Sequence, residues 1–213
     1  MPMPSAYETR SEAFFRLYEG ETPQEIQTLL TRWIPKGSRV LELGCGSGRD
    51  ARFMSGLDAI VEATDGSGPL LKLAEARAQA LLGAESPSFS LLCLLPALPS
   101  PCFAFSLLCL PPDKASEDAL FARLPRFDAV YTCGVLQHLS DHELYEGACF
   151  MERAVTDKGT LIVVVPLDHK GDPDRKTFLR DSLDYATLFE RMGFRLASQE
   201  IRDGVGSPGH ECR

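Results

Sequence analysis

The sequence lacks the features that mark several large classes of protein. It has no extended basic segment, and a net charge of −8 over 213 residues argues against a nucleic-acid binder, which would normally carry a basic patch. The N-terminus has no basic region followed by an apolar run, so the pattern predicts no secretory signal. We therefore expect a cytoplasmic protein with neither a nucleic-acid nor a membrane partner.

A membrane span is also excluded, although one stretch imitates it. Residues 86–112 carry no charge and are rich in Leu and Phe. Prolines interrupt the stretch so often that a spanning helix would break. They lie at positions 87, 96, 99, 101, 111 and 112.

Paired cysteines are missing as well. No C-x-x-C pair occurs, and no Cys/His cluster has the spacing of a zinc site, so no metal is expected. The count of seven is odd, and several cysteines lie in strand-like runs, which favours free, buried thiols in a reducing compartment. They are Cys45, Cys93, Cys102, Cys109, Cys133, Cys149 and Cys212.

What is present is an alternation of strand-like and helix-like segments, which predicts an α/β domain with a mostly parallel sheet covered by helices on both faces. We expect a helical lid or cap over residues 1–36 and the main domain over 37–213. Helices are predicted at 4–18, from Thr22-Pro23 to about 34, and at 49–55, 69–82, 115–124, 140–155 and 183–192. Strands are predicted at 39–43, 59–64, 127–133, 160–165 and 195–201.

An internal near-repeat supplies the remaining strand. Residues 89–96 recur as residues 105–112, at an offset of sixteen. Removing residues 89–104 would restore a regular strand–helix unit, so we interpret the segment 89–112 as one genuine strand plus an inserted near-copy. The alternative is that both copies are strands of an enlarged sheet.

A glycine-rich turn follows the first predicted strand and is the strongest functional signal. Glycines 44, 46 and 48 let a ligand lie against the main chain at a helix N-terminus. The dinucleotide fingerprint G-x-G-x-x-G places its third glycine one residue later, and the phosphate-loop pattern G-x-x-x-x-G-K is absent. A nicotinamide-dependent oxidoreductase is therefore disfavoured.

Asp65 ends the second strand, 23 residues after Glu42. An ionised carboxylate there has two oxygens that could accept hydrogen bonds from both hydroxyls of a ribose. The competing interpretation is an acidic residue that favours the start of the next helix.

The segment from Val40 to Asp50 resembles the first motif of class I S-adenosylmethionine (SAM)-dependent methyltransferases. Asp65-Gly66-Ser67 resembles the second motif, and 127–139 and 151–163 resemble later segments, so the resemblance covers about residues 38–200. It is closest to the small-molecule enzymes, including a tellurite-resistance-like group. It implies a Rossmann-like sandwich, SAM as cofactor with S-adenosylhomocysteine (SAH) as product, and in-line methyl transfer to a small-molecule acceptor. The cofactor-binding residues implied are Glu42, Gly44, Cys45, Gly46, Gly48, Arg49, Asp65, Gly66, Ser67, Cys133 and Val135.

His138 is the candidate catalytic residue, because an imidazole could take a proton from the acceptor. The alternative is that His138 packs over the cofactor or caps the next helix. Tyr7 and Tyr18 could form a lid, whereas Phe14 and Phe15 are expected to form the buried stripe of an amphipathic helix. Residues 166–176 are expected to line the acceptor pocket.

Two features depart from the family pattern. The acidic or Asn residue expected near adenine is replaced by Cys-Leu-Leu/Pro-Pro in both repeat copies, and Asp113 is the nearest candidate. The final antiparallel strand is expected to be short or missing, because few residues follow 195–201. These departures keep open a non-catalytic or degenerate SAM-binding homologue. The sequence specifies neither the acceptor nor an oligomeric state.

Overall fold

The computed structural model describes residues 6–20, 23–91, 126–167 and 177–201. The helices are α1 (Ala6–Thr9), α2 (Ser11–Glu19), α3 (Gln24–Trp33), α4 (Arg49–Gly56), α5 (Gly68–Leu82), α6 (Asp141–Ala154) and α7 (Ser182–Arg191), with short 3-10 turns at Gly83–Glu85 and Leu136–His138. The strands are β1 (Arg39–Leu43), β2 (Ile60–Asp65), β3 (Ser88–Leu91), β4 (Phe127–Cys133) and β5 (Val155–Val164).

The described strands form one parallel sheet in the order β3-β2-β1-β4-β5. Alternate β1 residues face opposite layers: Leu41 and Leu43 pack in the cluster that contains α6 and α7, and Val40 packs with α3 and α4. The predicted α/β fold class is therefore confirmed. Strand order reverses between β1 and β4, and this switch point is where open sheets of this type bind ligands, beyond the carboxyl ends of the strands.

Local sequence signals account for most helix boundaries. The sequence Ser140-Asp141-His142-Glu143 predicts a capping box at the start of α6. The structure confirms it, since Ser140 Oγ accepts from Glu143 N and the Glu143 carboxylate accepts from Ser140 N. Asp181 and Asp184 form a second capping box at α7, which the sequence analysis missed. The pair Thr22-Pro23 predicts Thr22 as the N-cap of α3 and Pro23 as its first helical residue. This prediction was wrong by one residue, since the helix begins at Gln24 and Pro23 is its N-cap. Among the described residues, no helix is both long and apolar enough to cross a membrane.

The start of the first repeat copy forms β3, the strand beside β2. Phe89 pairs with Ala63 in parallel register, and Leu91 pairs with Asp65. The second copy, 105–112, and the predicted helix 115–124 lie outside the described residues.

The predicted start of β5 was wrong, although the predicted end of α6 at about Val155 agrees with the structure. The sequence predicts that Gly159 marks the exit from the helix and that the strand starts at Thr160, whereas β5 begins at Val155 and includes Gly159. Val155 pairs with Phe127 and Thr160 pairs with Ala129, so residues 156–159 bulge opposite a single β4 residue. Gly159 is required there, because a Cβ atom would lie 2.8 Å from the Asp128 carbonyl oxygen.

The predicted last strand was also wrong. Residues 195–201 have no regular secondary structure and are exposed, with Leu196 at 50% and Ile201 at 68% exposure. A strand persists only where a neighbour accepts and donates its main-chain hydrogen bonds. Within the described part of the chain, β5 pairs with β4 alone, so 195–201 gains no such neighbour.

Candidate functional site

The glycine turn lies at the carboxyl end of β1, at the switch point of the sheet. All three glycines have positive φ, and Gly44 and Gly46 show why the positions need glycine. A Cβ on Gly44 would lie 2.3 Å from Val135 Cγ2, and one on Gly46 would lie 3.2 Å from the Tyr18 ring. The turn is thus pressed between the loop after β4 and helix α2.

The main-chain amides of the turn are largely bonded within the protein. Gly44 N and Cys45 N both donate to the Thr64 carbonyl, at 2.8 and 2.9 Å. Gly48 N donates to the Cys45 carbonyl, and Gly46 N donates to the Asp65 carboxylate at 2.8 Å. Four amides that a phosphate-binding loop would present to an anion are therefore already satisfied here.

In contrast to the bonded amide donors of the turn, the Glu42 side chain presents a buried acceptor oxygen that has no donor in the described part of the chain. It lies two residues before the turn, is 3% exposed, and its Oε2 has no hydrogen-bond partner among the described residues. Burial raises the pKa of this carboxyl well above its ordinary value, and the negative charge of Asp50 raises it further, while Arg49 opposes the shift. A fully buried acceptor without a donor calls for a ligand group that carries N–H or O–H.

Asp50, Arg49 and Tyr131 form a buried hydrogen-bond network beside the turn, which was not predicted from the sequence. The Asp50 carboxylate accepts from Arg49 Nε at 2.9 Å and from the Tyr131 hydroxyl at 2.7 Å. Tyr131 has no exposed surface, and burial raises the pKa of its phenol well above the ordinary value. The signal available in the sequence was Asp50 beside Arg49, but Tyr131 lies 81 residues away.

Asp65 lies at the end of β2, where the sequence placed it, and is bonded to two backbone amides. One oxygen accepts from Gly46 N and the other from Ser67 N, both at 2.8 Å. Each carboxylate oxygen has a second lone pair, so the group can still accept from two hydroxyls. Ser67, beyond Gly66, caps α5 through its Oγ, which also donates to the Tyr7 carbonyl at 3.2 Å.

The loop after β4 carries Cys133, Val135 and His138. His138 lies in the 3-10 turn, with its Nε2 3.3 Å from the Tyr7 hydroxyl and 3.3 Å from Gln137 Nε2. Burial raises the pKa of the Cys133 thiol to about 12 and raises that of Cys45 as well, so neither is a nucleophile at neutral pH. Cys45, at 7% exposure, belongs to the core cluster around α3 and α4.

Helices α1 and α2 close the site on its outer side. Arg49 Nη1 donates to the Tyr18 carbonyl at 3.1 Å, and the Tyr18 ring contacts Gly46. The rings of Tyr7 and Phe14 have centroids 4.7 Å apart, and those of Phe14 and Tyr18 are 6.0 Å apart. Phe14 is 3% exposed, which agrees with the predicted buried stripe, whereas Phe15 is half-buried.

Beyond β5, an open cavity of about 270 Å³ is lined by Leu167, Leu179, Arg180, Asp181 and Asp184. It adjoins the segment expected to line the acceptor pocket, of which residues 168–176 lie outside the description. The neighbouring backbone is tied to the loop after β4, since Phe178 N donates to the Gln137 carbonyl at 2.7 Å and Arg180 Nη2 donates to the Leu139 carbonyl at 2.8 Å. Asp113 and both Cys-Leu-Leu/Pro-Pro segments also fall outside the described residues.

Comparisons with known proteins find likeness in structure only. No protein-family model and no curated protein sequence matches the chain. A putative methyltransferase of Haloferax volcanii, solved in complex with the Trm112 methyltransferase activator, superposes with a TM-score of 0.66 at 15% identity, over 93% of this chain and 80% of that one.

Two further structures point to the same fold. A TehB-like SAM-dependent methyltransferase from Corynebacterium glutamicum gives a TM-score of 0.57 at 17% identity, over 86% of this chain and 83% of that one. The phosphoethanolamine N-methyltransferase 2 of Haemonchus contortus, in complex with SAM, gives 0.59 at 19% identity, over 88% of this chain and 41% of that one. At such identities the likeness establishes the fold.

Proposed function

We propose that this chain, which has the Rossmann-like fold of class I methyltransferases, binds SAM and transfers its methyl group to a small-molecule acceptor. One observation carries the proposal. The glycine turn keeps four of its amides bonded internally, while Glu42 beneath it holds a buried acceptor atom without a donor. The site therefore suits a ligand that brings hydrogen-bond donors, and it is poorly built for the pyrophosphate of a dinucleotide.

The residues present fit SAM in this respect. Its ammonium group and ribose hydroxyls are donors, which match the free oxygen of Glu42 and the remaining lone pairs of Asp65. Arg49, anchored to Asp50 and to the Tyr18 carbonyl, places a guanidinium beside the turn, where it can meet a carboxylate. The remaining cofactor residues proposed from the sequence, including Gly66, Ser67, Cys133 and Val135, lie at the ends of β2 and β4 around this turn.

For the transfer, bound SAM would supply a methyl group activated by its sulfonium. The protein would hold the acceptor in line with that methyl, because such orientation supplies much of the rate gain in a displacement of this kind. We assign to His138 the removal of a proton from the acceptor, and the position of its Nε2 after β4, 3.3 Å from the Tyr7 hydroxyl, supports this role. Residues 1–36 are proposed to act as a lid, and the acceptor would enter between this lid and the loop after β4.

Isothermal titration calorimetry with SAM, SAH and NADH tests the cofactor. We expect SAM and SAH to bind and NADH not to bind. Absence of SAM binding at about millimolar ligand, which corresponds to only about 4 kcal/mol of affinity, would overturn the proposal.

An assay of SAH release across a panel of small-molecule acceptors tests the activity separately. Turnover of any acceptor supports the enzyme. Binding of SAM without SAH release across a broad panel would instead support a non-catalytic SAM-binding homologue, an alternative motivated by the departure at the adenine-side position in the sequence.

A further inference from the structure

The C-terminal end of α2 is fastened to the domain by a group that we call the α2 clamp, made of Glu19, Arg52 and Arg77. Arg52 Nη2 from α4 donates to Glu19 Oε1 at 2.5 Å, and Arg77 Nε from α5 lies 3.4 Å from Glu19 Oε2. The Glu19 and Arg52 side chains are 18% and 11% exposed, so solvent screens this pair weakly. The dipole of α2 also favours the positive charges of Arg52 and Arg77 near its C-terminal end.

Arg52 does more than pair with Glu19. Its Nη1 donates to the Ser47 carbonyl at 2.9 Å, and Ser47 lies between two glycines of the turn. One planar guanidinium therefore holds the turn with one nitrogen and α2 with another. This fork is specific to arginine, because the ammonium of a lysine is a compact point charge.

The residue before Glu19 lies against the site. The Tyr18 ring contacts Gly46, so the position of the α2 C-terminus sets the space above the turn. A ligand that rests on Gly46 must lie beside Tyr18 or displace it. Any movement of α2 away from Arg52 therefore opens that face of the turn.

We propose that Arg52 is a positioning residue that locks α2 over the glycine turn, so that the α2 clamp must open for the cofactor to leave. The inference rests on the proposed function for the identity of the ligand, but the clamp consists of this chain's own residues. Arg52 acts on the ligand through Ser47 and through Tyr18.

The dissociation rate of labelled SAM, measured in an excess of unlabelled SAM, tests whether the α2 clamp slows the release of the cofactor. Arg52→Lys keeps the positive charge but cannot bond Ser47 and Glu19 at the same time. Glu19→Gln keeps the size of the side chain and removes its negative charge. Each variant is expected to speed SAM release about tenfold, as for the loss of one charged hydrogen bond. Arg16→Met is the matched control, because Arg16 is an exposed arginine of the same helix that pairs with Glu12. Release at the wild-type rate from Arg52→Lys would overturn the proposal.

Hydrogen–deuterium exchange without ligand gives a second readout. Amides of α2 are expected to exchange faster in Arg52→Lys than in the wild type, while those of α7 stay unchanged. Equal exchange of α2 in the two proteins would overturn the lock even if SAM did not bind. Faster exchange of α2 in Arg52→Lys than in a wild type that binds no SAM would support the clamp while overturning the proposed function, so the two failures are distinguishable.

Discussion

Replacing Glu42 with Gln should remove a pH dependence from the stability of the ligand-free protein. Glu42 is 3% exposed, and burial, followed by the charge of Asp50, raises its pKa well above the ordinary value. The folded protein then holds a proton on Glu42 that the unfolded chain has already released. The free energy of unfolding must therefore fall as pH rises from the unfolded pKa towards the folded one.

The magnitude follows from the single proton involved. Between the two pKa values, one proton lowers the free energy of unfolding by about 1.4 kcal/mol for each pH unit. The neutral glutamine carries no such proton, so the wild type should lose about 1.4 kcal/mol relative to Glu42→Gln for each pH unit inside that window.

Urea denaturation of both proteins from about pH 5 to about pH 7 measures the difference. Glu62→Gln is the control, because Glu62 lies on the neighbouring strand β2 and is only half-buried, so water reaches its carboxylate. Parallel curves for the wild type and Glu42→Gln would refute the reasoning, since they would mean that Glu42 takes up no proton on folding.

Four further outcomes are expected. Gly44→Ala should lower stability by a few kcal/mol and abolish SAM binding in calorimetry, because its Cβ would overlap Val135 Cγ2, and Val135→Ala in the same chain should restore part of both. His138→Asn should lower the rate of SAH release at least about a hundredfold with unchanged SAM affinity, and an unchanged rate would remove His138 as the base. Ser140→Ala should cost about 1 kcal/mol in urea denaturation through loss of the α6 cap, with no change in SAM affinity. Cys133 should resist iodoacetamide in the folded protein at about pH 8 and react once urea unfolds it, because burial raises its pKa to about 12.

Elements whose signals lie within a few residues were predictable from the sequence. Strands β1 and β4 have the predicted bounds, because short and mostly apolar runs bounded by turn residues specify the buried strands of a parallel sheet. The Ser140 cap was predictable because its partner, Glu143, lies only three residues away. Asp65 could be placed at the end of β2 by counting along the chain.

Features that depend on distant partners were not predictable. The polar residues at the start of β5 look like a loop, and only the pairing of Val155 with Phe127 makes them part of a strand. Conversely, 195–201 has a strand-like composition but gains no neighbour among the described strands. The bond between Asp50 and Tyr131 joins residues 81 positions apart, and no local pattern encodes it.

The two bonds of Asp65 to Gly46 and Ser67 mean that one carboxylate holds both loops in place before any ligand arrives. Less ordering entropy then remains to be lost on binding, so the affinity of the site depends on a residue that also determines its shape. Any attempt to change the ligand preference of this site by replacing Asp65 would release two backbone amides at once. Redesign would therefore have to supply new acceptors for Gly46 and Ser67 before it altered selectivity.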